Sequence, residues 1–152
     1  MADLFNQDFQ EFIEALNKAE VEYILVGGYA VILHGYSRST GDMDIWVKKT
    51  SANYTKLKKA FQLFGAPLFS EQDFLGNDFD VWGIGKEPNR IEILSELKGV
   101  LFDEAYPACK TFIQNLVEIR YIHFNHLIKA KEAVGRFKDR NDIEQLKRKR
   151  SS

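Results

Sequence analysis

Two adjacent glycines, Gly27-Gly28, separate a short apolar run from a longer one, and two aspartates follow at positions 42 and 44. This ordering restricts the fold more than any other feature of the chain. Glu22 to Val26 (Glu-Tyr-Ile-Leu-Val) reads as a short buried strand that the glycines end. Tyr29 to His34 is apolar enough for a helix packed on that strand, with Gly35 as its stop. Ser37-Arg38-Ser39-Thr40-Gly41 is polar loop chemistry, and Asp42 to Val47 follows as a second strand.

The flanking segments supply further helices and strands. Leu4, Phe5, Phe9, Phe12, Ile13 and Leu16 recur at helical steps, which predicts an amphipathic helix over 4–19. Ser51 is placed to cap a third helix whose apolar stripe is Tyr54, Leu57, Phe61 and Phe64, and Gly65-Ala66-Pro67 ends it. Phe79 to Ile84 and Arg90 to Leu94 read as strands around a turn at Gly85–Asn89. A short helix near 103–107 precedes two strands, Lys110–Ile113 and Leu116–Tyr121, joined at Gln114-Asn115. The end is helical over 124–134 and 139–148, with a break near Gly135. The expected class is therefore α/β (α+β): a small mixed sheet flanked by helices, with a helical C-terminus. With 152 residues and no repeat or Pro-rich hinge, one domain over 1–146 is expected. Residues 147–152 are expected to form a basic, frayed tail.

Composition narrows the classes of function. Cys109 is the single cysteine, which excludes a disulfide framework and a multi-cysteine zinc site and suits a reducing, cytoplasmic setting. The opening Met-Ala-Asp-Leu-Phe lacks the basic flank and apolar core of a signal peptide. No apolar run approaches the roughly eighteen residues of a membrane span. Net charge is −1, but residues 129–150 carry nine Lys/Arg and four Asp/Glu, leaving twelve and eighteen for the rest. A near-neutral chain is poorly suited to long duplex DNA, which rewards many phosphate contacts. An acidic body with a basic end suits a small polyanion taken up with a divalent cation; the plain alternative is a solvated helix face.

In a strand, residues two apart share a face, so Asp42 and Asp44 point together while Met43, Ile45 and Val47 point into the core. Two ionised carboxylates held together repel unless a positive charge separates them. Oxygen-only ligands select Mg²⁺ or Mn²⁺ over zinc. Glu92, between Ile91 and Ile93, would add a third carboxylate if its strand lay beside that of Asp42 and Asp44. Three carboxylates can hold two cations about 3.5–4 Å apart, as phosphoryl or nucleotidyl transfer requires. Glu92 could equally be a rim carboxylate paired with Arg90, and Gly27-Gly28 a tight turn without a ligand. Neither a Walker A loop nor a dinucleotide fingerprint occurs. His34 reads as a satisfied helix-end histidine, His123 and His126 lack partners for a zinc site, and Trp46 and Trp82 read as packing residues.

The order strand, Gly-Gly, helix, polar loop, Asp-x-Asp, later lone acid resembles the nucleotidyltransferase superfamily that includes DNA polymerase beta. The run Val26-Gly27-Gly28-Tyr29-Ala30, His34-Gly35, Arg38-Ser39-Thr40, Asp42-Met43-Asp44 resembles a small bacterial group related to abortive-infection nucleotidyltransferase toxins. The stretch from Leu127 to Ile143, with Lys131, Gly135-Arg136, Lys138-Asp139 and Asp142, resembles that group's closing motif. The likeness spans about residues 20–146.

The resemblance implies a nucleotidyltransferase fold and a metal-dependent enzyme that moves a nucleoside monophosphate from an NTP to an acceptor hydroxyl, releasing pyrophosphate. It places Asp42 and Asp44 as the metal pair and Glu92 as third ligand or general base. Gly27 and Gly28 match the phosphate-cradling turn, though many relatives have Ser where Gly28 stands. Arg38, Thr40, Lys131, Arg136 and Lys138 match positions that face the triphosphate, the last three with a solvated helix face as alternative. Asp139 and Asp142 read as capping and ion-pair residues. The implied cofactor is Mg²⁺ or Mn²⁺, with an NTP as substrate. The implied acceptor is an RNA end, a protein or a small molecule, with an antitoxin or second subunit as a further partner and no membrane. Two other readings share the fold: a catalytically idle nucleotide- or partner-binding module, and the toxin of a toxin–antitoxin pair.

Overall fold

Asn6 starts the first helix by accepting a hydrogen bond from the Phe9 amide at 2.9 Å, satisfying a donor that a helix start leaves open. The computed structural model describes residues 3–151. Its elements in chain order are α1 (Gln7–Lys18), β1 (Tyr23–Val26), α2 (Gly27–Leu33), β2 (Met43–Val47), α3 (Ser51–Phe64), α4 (Glu71–Leu75), β3 (Val81–Ile84) and β4 (Ile91–Leu94). Then follow α5 (Phe102–Ala105) with a 3₁₀ turn (Tyr106–Ala108), β5 (Lys110–Gln114), β6 (Val117–Tyr121), α6 (Phe124–Val134) and α7 (Phe137–Ser151).

The strands form one six-stranded mixed sheet in the order β3-β4-β2-β1-β6-β5. The central pairs β2–β4 and β1–β6 are parallel, and β1–β2 and the two outer pairs are antiparallel. Helices cover both faces, so the central strands are apolar on both sides. Met43, Ile45, Ile91 and Ile93 pack in one core with Phe9, Phe12 and Leu16 of α1 and Leu57 and Phe61 of α3. Ile24, Val26 and Trp46 pack in a second with Leu127 and Ile128 of α6 and Leu146 of α7. The α/β class, the mixed sheet and the helical C-terminus are as expected.

Local differences have physical causes. Gly27-Gly28 does not form a separate turn but is the first turn of α2. Thr50, not Ser51, caps α3, its hydroxyl accepting from the Asn53 amide at 3.1 Å. The single-turn helix α4 is too short to show a period; Ser70 caps it, and its Phe74 is fully buried among Phe69, Phe79 and Tyr54. The basic tail expected to fray from 147 instead continues α7 through Ser151. Arg150 lies 4.2 Å from the Phe124 ring centroid, and the Lys149 side chain packs against Gly35, which hold this last turn on the body. No described helix is long and apolar enough to cross a membrane.

Candidate active site

The parallel pairing of β2 with β4 sets Asp44 opposite Glu92, and the antiparallel pairing of β1 with β2 sets Val26 opposite Asp44. Alternation then turns Asp44 to the face that carries Trp46, while Met43 and Ile45 are fully buried on the other. Glu92 follows the same rule between Ile91 and Ile93. Asp42 sits one residue before β2, where the Met43 amide donates to the Arg90 carbonyl at 3.0 Å. Asp42 lies close enough to Glu92 and to Asp44 to raise the pKa of both. The structure therefore brings Asp42, Asp44 and Glu92 to one region of the sheet.

Charge at this region is under-compensated. Burial pushes the Asp44 carboxyl up to about 7, with Glu92 and Asp42 adding to the shift and Lys138 and Lys131 opposing it. Burial and then Asp42 raise Glu92 above the usual carboxylate range, while Arg90, with Nε 3.5 Å from Oε1, pulls it down. Asp42 Oδ1 is buried without a hydrogen-bond partner. An orphaned carboxylate oxygen beside two acids of raised pKa fits a hard divalent cation in donor chemistry. Among the described residues, however, no three His, Cys, Asp or Glu side chains are grouped so as to hold a cation as they stand.

The glycines let the backbone of α2 approach this region. Gly27 has φ +70°, and a side chain there would overlap the Asp44 carboxylate. A side chain at Gly28 would overlap Thr40 Oγ1, and its Cβ would stand 3.5 Å from Arg38 Nη2. No side chain caps the start of α2. Gly27, Asp44, Leu94, Lys131, Arg136 and Asp139 contribute to the walls of a cleft of 150 Å³.

The basic residues divide into two kinds. Arg38 and Lys131 are held by buried acids. Arg38 Nε lies 3.1 Å from Asp142 Oδ1, and Lys131 Nζ lies 2.9 Å from Asp142 Oδ2 and 3.3 Å from Asp139 Oδ1. Arg136 pairs with Asp139 at 2.7 Å but leaves 62% of its side chain exposed. Lys138 is exposed and close enough to act on Asp44. Asp139 and Asp142 are thus ion-pair residues, as expected, and the Arg136 amide donates to Asp139 Oδ2 at 3.2 Å.

The remaining candidates are structural. His34 is the C-cap of α2, with Nε2 2.7 Å from the Ile122 carbonyl, and burial holds its pKa below the usual value. His123 Nδ1 caps α6 by accepting from the Asn125 amide at 3.1 Å. Trp46 is buried against Phe102, and Trp82 Nε1 donates to the Pro67 carbonyl at 3.2 Å. One site residue carried no sequence signal. Gly83 pairs with Glu92 across β3–β4, and a side chain there would displace the Arg90 guanidinium that flanks Glu92. Only the strand order brings Gly83 and Glu92 together.

No family model matches this sequence, and no curated protein matches it. The fold does resemble solved structures. One is a crystal structure from Thermotoga maritima described as a "putative nucleotidyltransferase", superposing with a TM-score of 0.56 at 13% identity over 93% of this chain and 91% of that one. At that identity the likeness extends to the fold.

Proposed function

We propose that this chain is a nucleotidyltransferase that moves a nucleoside monophosphate from an NTP to an acceptor hydroxyl. The observation that carries this reading is the register of β1, β2 and β4, which gathers Asp42, Asp44 and Glu92 beside the bare backbone of Gly27. The nucleotidyltransferase-like fold supports it.

Asp42, Asp44 and Glu92 would hold Mg²⁺ or Mn²⁺, which would neutralise the triphosphate and stabilise the attacking and leaving oxygens. The bare backbone of Gly27 and Gly28 brings Asp44 and Thr40 against the start of α2, where the triphosphate would lie. Glu92, with its raised affinity for a proton, accepts the proton of the acceptor hydroxyl. The hydroxyl oxygen forms a bond to the α-phosphorus as the bond to the β-phosphate oxygen breaks, and pyrophosphate leaves. Arg38, Lys131, Arg136 and Lys138 offset the charge on the departing group. Most of the rate enhancement is positioning and electrostatics.

The acceptor is an RNA end, a protein or a small molecule. The cytoplasmic setting rests on composition alone, and a toxin role with an antitoxin or second subunit on the sequence resemblance alone. A second reading, an idle nucleotide-binding module, draws on the engagement of Arg38 and Lys131 by Asp139 and Asp142. Incubating the protein with each α-labelled NTP, Mg²⁺ and a cell extract separates the two. Label transferred to RNA, protein or a small molecule supports the enzyme. Triphosphate binding without transfer to any acceptor supports the idle module.

A further inference from the structure

Asp142 lies on α7, 1% exposed, and receives cations from two other segments. Arg38 reaches it from the loop before β2, its Nη2 donating a hydrogen bond to Oδ2 at 3.2 Å while Nε lies at ion-pair distance, 3.1 Å, from Oδ1 without hydrogen-bonding it. Lys131 reaches it from α6, with Nζ 2.9 Å from Oδ2. The same Arg38 Nη2 lies along the backbone of Gly28, 3.5 Å from where a Cβ would stand. Asp142 therefore ties the loop carrying Arg38 and Thr40 to the helix whose Lys131 lines the cleft beside Asp44.

The charge count shows that the tie does not quench the cations. Among the described residues, the ion pairs of Arg38, Lys131 and Arg136 are made with Asp139 and Asp142, three cations to two acids, so this ion-paired group retains one positive charge. What the acids remove is freedom. A long basic side chain loses rotamer entropy when a ligand immobilises it, and a side chain already held loses less.

We infer that Asp142 is a positioning residue for triphosphate binding, acting through Arg38 and secondarily through Lys131, and that α7 is thereby part of the substrate site although its own acid touches no substrate. The inference rests on the proposed function. Calorimetric titration of the full chain with inorganic tripolyphosphate and Mg²⁺, a probe without base or ribose, tests it in four proteins: wild type, Arg38→Gln, Asp142→Asn and the double variant. If Asp142 acts through Arg38, each single variant binds about tenfold more weakly. The double variant then binds within about twofold of Arg38→Gln alone, because the main cation that Asp142 positions is already gone and only the lesser contribution through Lys131 remains. The double variant also removes one charge of each sign, so it keeps the comparison available if Asp142→Asn alone does not fold. Asp142→Asn binding as tightly as wild type overturns the inference and leaves the proposed function standing. So does a double variant about tenfold weaker than Arg38→Gln. A wild-type protein that binds no tripolyphosphate overturns both.

Discussion

Gly27 presses its bare Cα against the carboxylate of Asp44, at a backbone angle that side chains rarely adopt. This contact joins the start of α2 to the acidic end of β2, and it makes a direct prediction. Gly27→Ala combines left-handed strain with overlap on a buried carboxylate and should cost about 2–3 kcal/mol of stability. Gly65→Ala is the matched control: φ is +90° there too, but nothing lies within 4 Å of the new Cβ. It should cost about 1 kcal/mol. Denaturant melts of the two variants check the difference, and equal losses would show that the Asp44 contact is unimportant.

Asp42→Asn and Asp44→Asn should each lower nucleotidyl transfer by about a hundredfold or more while leaving the far-ultraviolet spectrum unchanged. Neither change alters shape. Asp44→Asn also relieves repulsion among the acids, so without metal it should melt at or above the wild-type temperature near pH 8. Robust transfer by either variant would remove these residues from the chemistry.

The raised pKa of Asp44 predicts the pH dependence of the metal-free protein. The folded carboxyl holds its proton up to about 7, and burial is the chief cause. An unfolded aspartate releases its proton near pH 4. Its contribution to stability is therefore full below about pH 4 and lost as pH rises through about 7. In EDTA the melting temperature should fall across pH 5 to 8, roughly, beyond what Asp44→Asn shows over the same range. Added Mg²⁺ should raise the wild-type melt at pH 8 and leave Asp44→Asn nearly unmoved. A flat difference between the two proteins would contradict charge repulsion among Asp42, Asp44 and Glu92.

The two ends of the ionic group should respond very differently to truncation. Lys131 is 9% exposed and serves two carboxylates that are each 2% exposed, so Lys131→Met leaves buried acids short of a partner. The expected loss is about 3–5 kcal/mol. The Arg136 side chain is 62% exposed, and its pair with Asp139 is partly screened by water. Arg136→Ala should cost about 1 kcal/mol or less. Urea denaturation at pH 7 checks both; comparable losses would mean that burial does not govern this network.

Much of the architecture was readable from local chemistry. The period of Phe9, Phe12, Ile13 and Leu16 marks α1, the glycines at 35, 65 and 135 follow or end helices, and alternation around Asp44 and Glu92 assigns their faces. These signals depend on residues a few positions apart, where backbone geometry dictates who shares a surface. The single-turn α4 escaped because five residues are too few to display a period. The last turn of α7 escaped because Arg150 is held by Phe124, which is distant in the chain.

The amino-acid order alone determined which residues could do chemistry: two aspartates two residues apart, a lone glutamate among isoleucines, a pair of glycines and a basic C-terminal stretch. The tertiary structure decided their relationships. Placing β4 parallel beside β2 set Glu92 opposite Asp44, and folding α7 back onto the Arg38 loop gave Arg38 and Lys131 buried acidic partners in place of a solvated surface. The division follows from range. Strand alternation and helix period are properties of neighbouring residues, whereas which strands pair, and which charges are buried together, is set by packing the whole chain.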